Sequence, residues 1–360
     1  MSGVAHGVAV GTAADLADRP ETPAEQRTDG PGRPLRSVVI VNPVRVSDLA
    51  ERRTIVDRAL AEAGWPPATW VETTAEDPGV GQTRQAVADG AEVIFACGGD
   101  GTVRAVLEGL VHATSAETGG REPAEDGPAL AVLPAGTGNL LAANLGLPDD
   151  PAEGVRVAVE RGRRRIDVGE VVGVGDGPAP DSDTAMFAVM AGMGFDAHLL
   201  ADAPAELKAR IGWPAYVISG LKHLRDKPMK VQIAIDDDPP ARRTARSVLV
   251  GNVGRLQGGL RLLPDAEPDS GTFDVAVLEP RNLGHWVGLV VGVLLRKRRV
   301  QGRQVLRGRT IVVTSDRPQP REVDGDVLPE SRTLRVTIRP GAVWLCVYQP
   351  DRSPDLTDRT

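Results

Sequence analysis

The chain has 360 residues, more than one average domain and enough for two. Hydrophobic residues make up 41% and charged ones 25%, a globular balance that excludes wholesale disorder. Its 2 cysteines, Cys97 and Cys346, exclude a disulfide scaffold and a cysteine-based zinc site. Aromatics at 3% and a formal charge of −7 argue against a nucleic-acid partner, and membrane contact would need a local basic patch.

Residues 1–36 carry no sustained period and read as a disordered leader. Ser37 to Val41 is a continuous apolar run ending at Asn42-Pro43, the signature of a buried parallel strand. Helical spacing follows over 48–63, stopping at Gly64; Thr69 to Glu72 is strand-like, and 79–89 is helical with Gly90 as its stop. Val93 to Ala96 is a strand that runs into Gly98-Gly99-Asp100-Gly101, with a helix predicted over 102–113 and a polar loop over 115–127. Leu130 to Leu133 is a strand that runs into Gly136-Thr137-Gly138-Asn139, then a helix to Leu145. This alternation predicts a doubly wound parallel sheet, whose ligands sit at the carboxyl ends of strands, where both glycine loops fall.

After about residue 165 the runs become short and alternating: 166–174, 186–191, 230–236, 246–252, 272–278, 309–314, 333–338 and 342–348. They predict an antiparallel sandwich or barrel, interrupted by helices near 203–225 and 283–298. The expected organisation is a leader (1–36), an α/β nucleotide domain (37–165), an all-β substrate domain (166–350) and a tail (351–360).

Gly98 to Thr102 follows a strand and opens a helix, so glycines allow close approach of a phosphate to free backbone N–H groups. Asp100 has the wrong sign to bind phosphate itself; it suits a Mg²⁺ or a Mg²⁺-bound water, or else a helix cap in a plain turn. In the second loop Thr137 can donate to phosphate or ribose, and Asn139 can cap the helix or reach a nucleotide. Neither loop is a Walker A, and no G-x-G-x-x-G opens the first helix. Near the end, Asp324-Gly325-Asp326 reads either as a carboxylate pair able to take a hydroxyl proton or as an acidic hairpin turn.

Taken together, these residues resemble the diacylglycerol kinase catalytic family, which includes bacterial lipid kinases and sphingosine kinases. The matching pieces are Val41-Asn42-Pro43, Glu72-Thr73-Thr74, Gly98 to Val103, Leu133 to Asn139, Gly192 to Ala197, Leu263 to Ala266 and Asp324 to Asp326. The resemblance implies a phosphofructokinase-like nucleotide domain, a C-terminal β-sandwich and a cleft between them. It implies ATP across Asn42, Pro43, Thr73, Gly98, Gly99, Gly101, Thr102, Gly136, Thr137, Gly138, Asn139 and Asp324, with Asp100 acting through Mg²⁺ and water. Asp326 would be the base for a lipid hydroxyl, as in-line transfer needs mainly positioning and charge neutralisation.

Three departures from the family pattern stand out. Val44-Arg45-Val46 replaces a Ser-Gly pair after the Asn-Pro turn, and Arg104-Ala105 replaces Asn-Glu after GGDGT. Family members often hold a structural Mg²⁺ in a segment matching Pro264 to Gly271, but Ser270 stands where the metal aspartate should be. Asp269 is then the remaining candidate, and on a strand it would face the other way.

No apolar run reaches the ~20 residues of a span and no signal peptide is visible, so the expected location is cytoplasmic, peripheral at the inner membrane face. Residues 286–299, an apolar stretch ending in Arg296-Lys297-Arg298-Arg299, read either as a surface-seeking helix or as a buried one; Trp213, Tyr216 and Trp286 are the aromatic candidates for an interface. Arg161 to Arg165 reads as a solvated basic run, and His198 and His223 as structural. The favoured function is ATP-dependent phosphorylation of diacylglycerol or a similar lipid, a step of phospholipid metabolism. The alternatives are a soluble-substrate kinase resembling NAD kinase and a non-catalytic nucleotide-binding regulator. A homodimer is compatible with the sequence but not specified by it.

Overall fold

The computed structural model describes residues 27–28, 35–118, 123–173, 184–194, 227–255, 261–279, 284–285, 288, 291–292 and 302–349. The expectations for 203–225, for Trp213, Tyr216, Trp286, His198 and His223, for Arg296 to Arg299 and for the tail lie outside them, as does most of the leader.

The first half alternates as the sequence predicts. Strands β2 (Ser37–Val41), β3 (Thr69–Glu72), β4 (Val93–Gly98) and β5 (Ala129–Pro134) are interleaved with helices α1 (Leu49–Glu62), α2 (Val80–Ala88) and α3 (Asp100–Thr118); ahead of them the segment read as a disordered leader holds a short strand, β1 (Arg27–Thr28), paired antiparallel with Gly162 and Arg163. Strands β3, β2, β4 and β5 lie side by side in that order, all parallel. Every residue of β4 and β5 is buried, because helices cover both faces of such a sheet and leave only continuous apolar runs. Helix α3 is longer than expected at both ends: it begins at Asp100 and takes in 115–118, read as loop. Two further helices follow, α4 (Leu140–Asn144) and α5 (Pro151–Val159). Helix α5 escaped the sequence reading although Asp150 caps it by accepting from Glu153 N–H at 2.9 Å and Pro151 opens it.

The second half is antiparallel: β6 (Gly162–Val172), β7 (Thr184–Phe187), β8 (Met190–Gly194), β9 (Met229–Ile235), β10 (Ala241–Ala245), β11 (Ser247–Gly251), β12 (Phe273–Leu278), β13 (Arg303–Gly308), β14 (Thr310–Val323) and β15 (Asp326–Cys346). Strands β10 and β13, with polar or Arg-rich sequences, were not predicted; both lie at the margins of the pairing. The two runs expected at 333–338 and 342–348 belong to one strand, β15, whose register shifts between Arg339 and Val343. That strand joins the two halves. Its first part pairs with β14, and its end lies parallel to β5, with Trp344 opposite Ala129 and Leu345 opposite Leu130.

Two apolar clusters result. One holds β2, β4, β5, α3 and the end of β15, with Phe95, Leu107, Leu133 and Trp344 buried in it; the other lies within the antiparallel half around Phe187, Phe273, Ile311 and Val323. The basic run Arg161 to Arg165 is not a solvated one: from Gly162 on it forms the start of β6. Arg163 donates to the Gly127 carbonyl at 3.1 Å, Arg164 pairs with Asp269, and Arg165 lies 4.7 Å over the Trp344 ring. No described helix is long and apolar enough to cross a membrane.

Candidate active site

Parallel register places the expected loops on one edge. Val41 is level with Cys97, and Gly98 with Pro134, so the chain leaves β2, β4 and β5 at adjacent points. Asn42 then bends the backbone. Its Oδ1 accepts from Val44 N–H at 3.1 Å and its carbonyl from Arg45 N–H at 3.1 Å, an Asx-type turn through Pro43. Thr73, just past β3, is buried and donates its N–H to the Val41 carbonyl at 2.8 Å. Arg52 of α1 donates to the Pro134 carbonyl at 3.2 Å, steadying the second loop from below. The sequence reading did not single it out, because its acceptor lies 82 residues away.

The two glycine loops are packed backbone to backbone. A Cβ built on Gly136 would lie 2.6 Å from Gly99 Cα, and one on Gly98 would lie 2.4 Å from Thr102 Oγ1. Only glycine allows that approach at Gly136. Asn139 closes the second loop on itself: its Oδ1 accepts from Gly136 N–H and its Nδ2 donates to Gly136 O, both at 3.0 Å. This holds Asn139 in a left-handed conformation at φ 46°. Thr137 is exposed at the loop tip and Gly138 follows it, half-buried. Thr102 is buried under the first loop, where Gly101 faces the start of β15.

Asp100 bridges the loops. Its Oδ1 accepts from Leu140 N–H at 2.6 Å, so it caps α4 from the neighbouring strand's loop. Burial pushes its carboxyl above the usual aspartate range, and backbone N–H groups of Leu140 and Asn139 pull the other way.

Asp324 and Asp326 have different environments although one glycine separates them. Asp324 and Gly325 have φ of 46° and 90°, the left-handed pair of a two-residue hairpin, with Val323 opposite Asp326. The hairpin reading of this turn therefore holds. Asp324 is buried. Its Oδ2 accepts from Ala188 N–H at 2.8 Å, and its Oδ1 from Val189 and Met190 at 2.9 and 2.8 Å. Burial pushes its carboxyl up to about 6. Both oxygens thus tie the turn to the β7–β8 connection. Asp326 is open instead, with its side chain 54% exposed, and pairs with Arg104 of α3 at 2.5 Å.

The segment expected to hold a structural metal is closed by an ion pair. Asp269 Oδ2 accepts from Arg164 Nε at 2.6 Å and lies 2.6 Å from its Nη2, with both side chains nearly buried. Asp167 lies beside them and accepts from Gly271 and Gly341 N–H at 2.7 and 2.8 Å. Burial pushes it up to about 6. Ser270 Oγ donates to the Thr272 carbonyl. Among the described residues no group of three His, Cys, Asp or Glu side chains could hold a metal. Asp269 therefore does not fit the ligand role: the Arg164 guanidinium already occupies its carboxylate.

Residues 36–171 match the diacylglycerol kinase catalytic domain, and residues 188–347 match the YegS C-terminal NAD kinase beta sandwich-like domain. A Chromohalobacter salexigens protein named "Probable lipid kinase YegS-like" is 34% identical over 64% of this chain and 68% of its own. A Stenotrophomonas maltophilia protein of the same name is 30% identical over 76% of this chain and 84% of its own. A Bacillus subtilis diacylglycerol kinase is 28% identical over 70% of this chain and 76% of its own. Among solved structures, a diacylglycerol kinase from Bacillus anthracis superposes with a TM-score of 0.63 at 20% identity, over 89% of this chain and 99% of that one. Yeast NADH kinase shares the fold at a TM-score of 0.50 and 13% identity, over 93% of this chain and 89% of that one. With an α/β half bearing paired glycine loops, an antiparallel sandwich, and these relatives, the chain belongs to the diacylglycerol kinase family of YegS-like lipid kinases and is a phosphotransferase.

Proposed function

We propose that the protein transfers the γ-phosphate of ATP to the hydroxyl of diacylglycerol or a closely similar lipid. The observation that carries this reading is the convergence of Gly99, Gly136 and Asp326 at one edge: two glycine loops packed together, with an open carboxylate facing Gly101. ATP lies across the Asn42-Pro43 turn, Thr73, Gly98 to Thr102 and Gly136 to Asn139. The N-terminus of α3 supplies N–H donors for phosphate oxygens. Asp324 acts indirectly by fixing the turn that presents Asp326.

Mg²⁺ carried by the nucleotide needs one or two protein carboxylates, and Asp100, between the two loops, fits that need directly or through water. When bound it would neutralise charge on the phosphate oxygens. A structural Mg²⁺ at Asp269 is not part of the proposal. Asp326 accepts the proton as the lipid O–H bond breaks, the new O–P bond forms, and the bond to the β-phosphate oxygen breaks to leave ADP. The lipid half of this reading follows the relatives' names. It places the enzyme in the cytoplasm, working at the inner face of the membrane in phospholipid metabolism.

The test is transfer from labelled ATP into diacylglycerol vesicles by wild type and by Asp326→Asn. The proposal expects a labelled lipid product with wild type and a loss of about a hundredfold or more with the variant. Undiminished turnover in Asp326→Asn would remove Asp326 as the base.

A further inference from the structure

Arg104 stands four residues past Asp100 in α3, and its side chain reaches across to the other half of the molecule. Its Nη2 lies 2.5 Å from Asp326 Oδ2, a contact between residues 222 apart in the chain. On its other side, Nη1 lies 3.8 Å from Glu108 Oε2, and Glu108 in turn lies 3.7 Å from His112 Nε2. Positions 104, 108 and 112 share one face of α3 at i,i+4 spacing. The guanidinium is therefore held from two directions, and at 19% exposure it is far more enclosed than the Asp326 side chain at 54%.

This asymmetry matters for a base. A carboxylate that follows a two-residue turn and is half open to solvent has several rotamers within reach. Proton transfer needs one oxygen pointed at one place, and misplacement by about 1 Å can cost a hundredfold in rate. A planar guanidinium fixed by its own helix supplies that restraint.

We propose that Arg104 is the positioning residue for Asp326: it holds Oδ2, orients the other carboxylate oxygen toward the acceptor hydroxyl, and couples the base to the helix that the GGDG loop opens. The inference rests on the assignment of Asp326 as the base. It gives a role to a residue that the family resemblance marked only as a departure.

The test is steady-state kinetics on ATP and diacylglycerol vesicles for Arg104→Ala, Arg104→Lys, Asp326→Asn and the Arg104→Ala/Asp326→Asn pair, with the thermal midpoint of each. Arg104→Ala is expected to lower kcat by about tenfold or more while KM for ATP stays within about twofold. Arg104→Lys is expected to recover part of kcat, and the double variant to be no slower than Asp326→Asn alone. Wild-type kcat in Arg104→Ala, a raised KM for ATP with kcat intact, or additive losses in the double variant would each overturn the inference. If Arg104→Ala does not fold, Arg104→Lys and Glu108→Gln decide in its place: both are expected to lower kcat, and wild-type kcat in both overturns the inference. An inactive Asp326→Asn beside a fully active Arg104→Ala removes the positioning role alone. A fully active Asp326→Asn removes the base assignment and this inference with it.

Discussion

The Asp100 carboxylate accepts a 2.6 Å hydrogen bond from the Leu140 backbone N–H, so the acidic residue of one glycine loop caps the helix opened by the other. In the proposed mechanism the same side chain also serves the chemistry, and two substitutions separate the two roles. Asp100→Asn keeps an acceptor oxygen for Leu140 and is expected to cost less than about 1 kcal/mol of stability. Asp100→Ala is expected to cost about 1–2 kcal/mol. Both are expected to lose phosphotransfer by about a hundredfold or more. Chemical denaturation beside the label-transfer assay checks this, and a fully active Asp100→Asn would leave Asp100 only its capping role.

The loop contact makes a second pair of variants informative. A Cβ on Gly136 would fall 2.6 Å from Gly99 Cα, whereas one on Gly99 would meet only Gly136 Cα at 3.5 Å. Gly136→Ala is therefore expected to lose about 1–3 kcal/mol of stability together with ATP affinity. Gly99→Ala is expected to stay folded and to lose ATP affinity alone. Calorimetric titration of ATP and thermal melts distinguish them, and equal stability losses would contradict the packing of the two loops.

Asp167 and Asp324 bind protons more tightly when folded, each with its carboxyl near 6 against 3.8 for a free aspartate. Between these values the folded state carries more protons than the unfolded chain, so these two groups add stability as pH falls from about 7 toward 4. Asp167→Asn removes one of them. Its unfolding free energy, followed by urea titration at pH 7 and pH 5, is expected to gain less on acidification than wild type. Identical pH dependence in the two proteins would contradict the burial of Asp167.

Arg164 holds Asp269 where a structural metal would need a free carboxylate. Chelation with EDTA in the absence of nucleotide is expected to leave the thermal midpoint unchanged within about 1 °C. Arg164→Ala is expected to lower stability by about 3 kcal/mol, since it strands a nearly buried carboxylate. A midpoint that falls by several degrees on chelation would mean that a metal supports the fold.

The elements nearest the site were the most legible in the sequence. Continuous apolar runs at Ser37 to Val41 and Val93 to Ala96, followed by Asn-Pro or a glycine loop, read as buried parallel strands with a loop at the carboxyl end. Helix α5 carries its own start signal in Asp150, Pro151 and Glu153. Strands β10 and β13 carry little apolar alternation because they lie at the margins of the pairing, and Pro340-Gly341 made one long strand look like two. The arginines were least legible. Whether Arg104 or Arg164 is solvated depends on a carboxylate more than a hundred residues away, and local pattern carries no record of that pairing. The same holds for Asp324 and Asp326: both fit an acidic turn, and only the N–H groups of residues 188–190 make one a structural anchor and leave the other open.

The central claim is tested most directly by incubating the full chain with γ-labelled ATP, Mg²⁺ and a total bacterial lipid extract, with NAD and a polyol in parallel tubes, and locating the label. The account predicts label in one organic-extractable lipid that co-migrates with phosphorylated diacylglycerol, and none in that lipid with Asp326→Asn. Label in NAD or the polyol, or ATP binding with no transfer to any lipid, would contradict it.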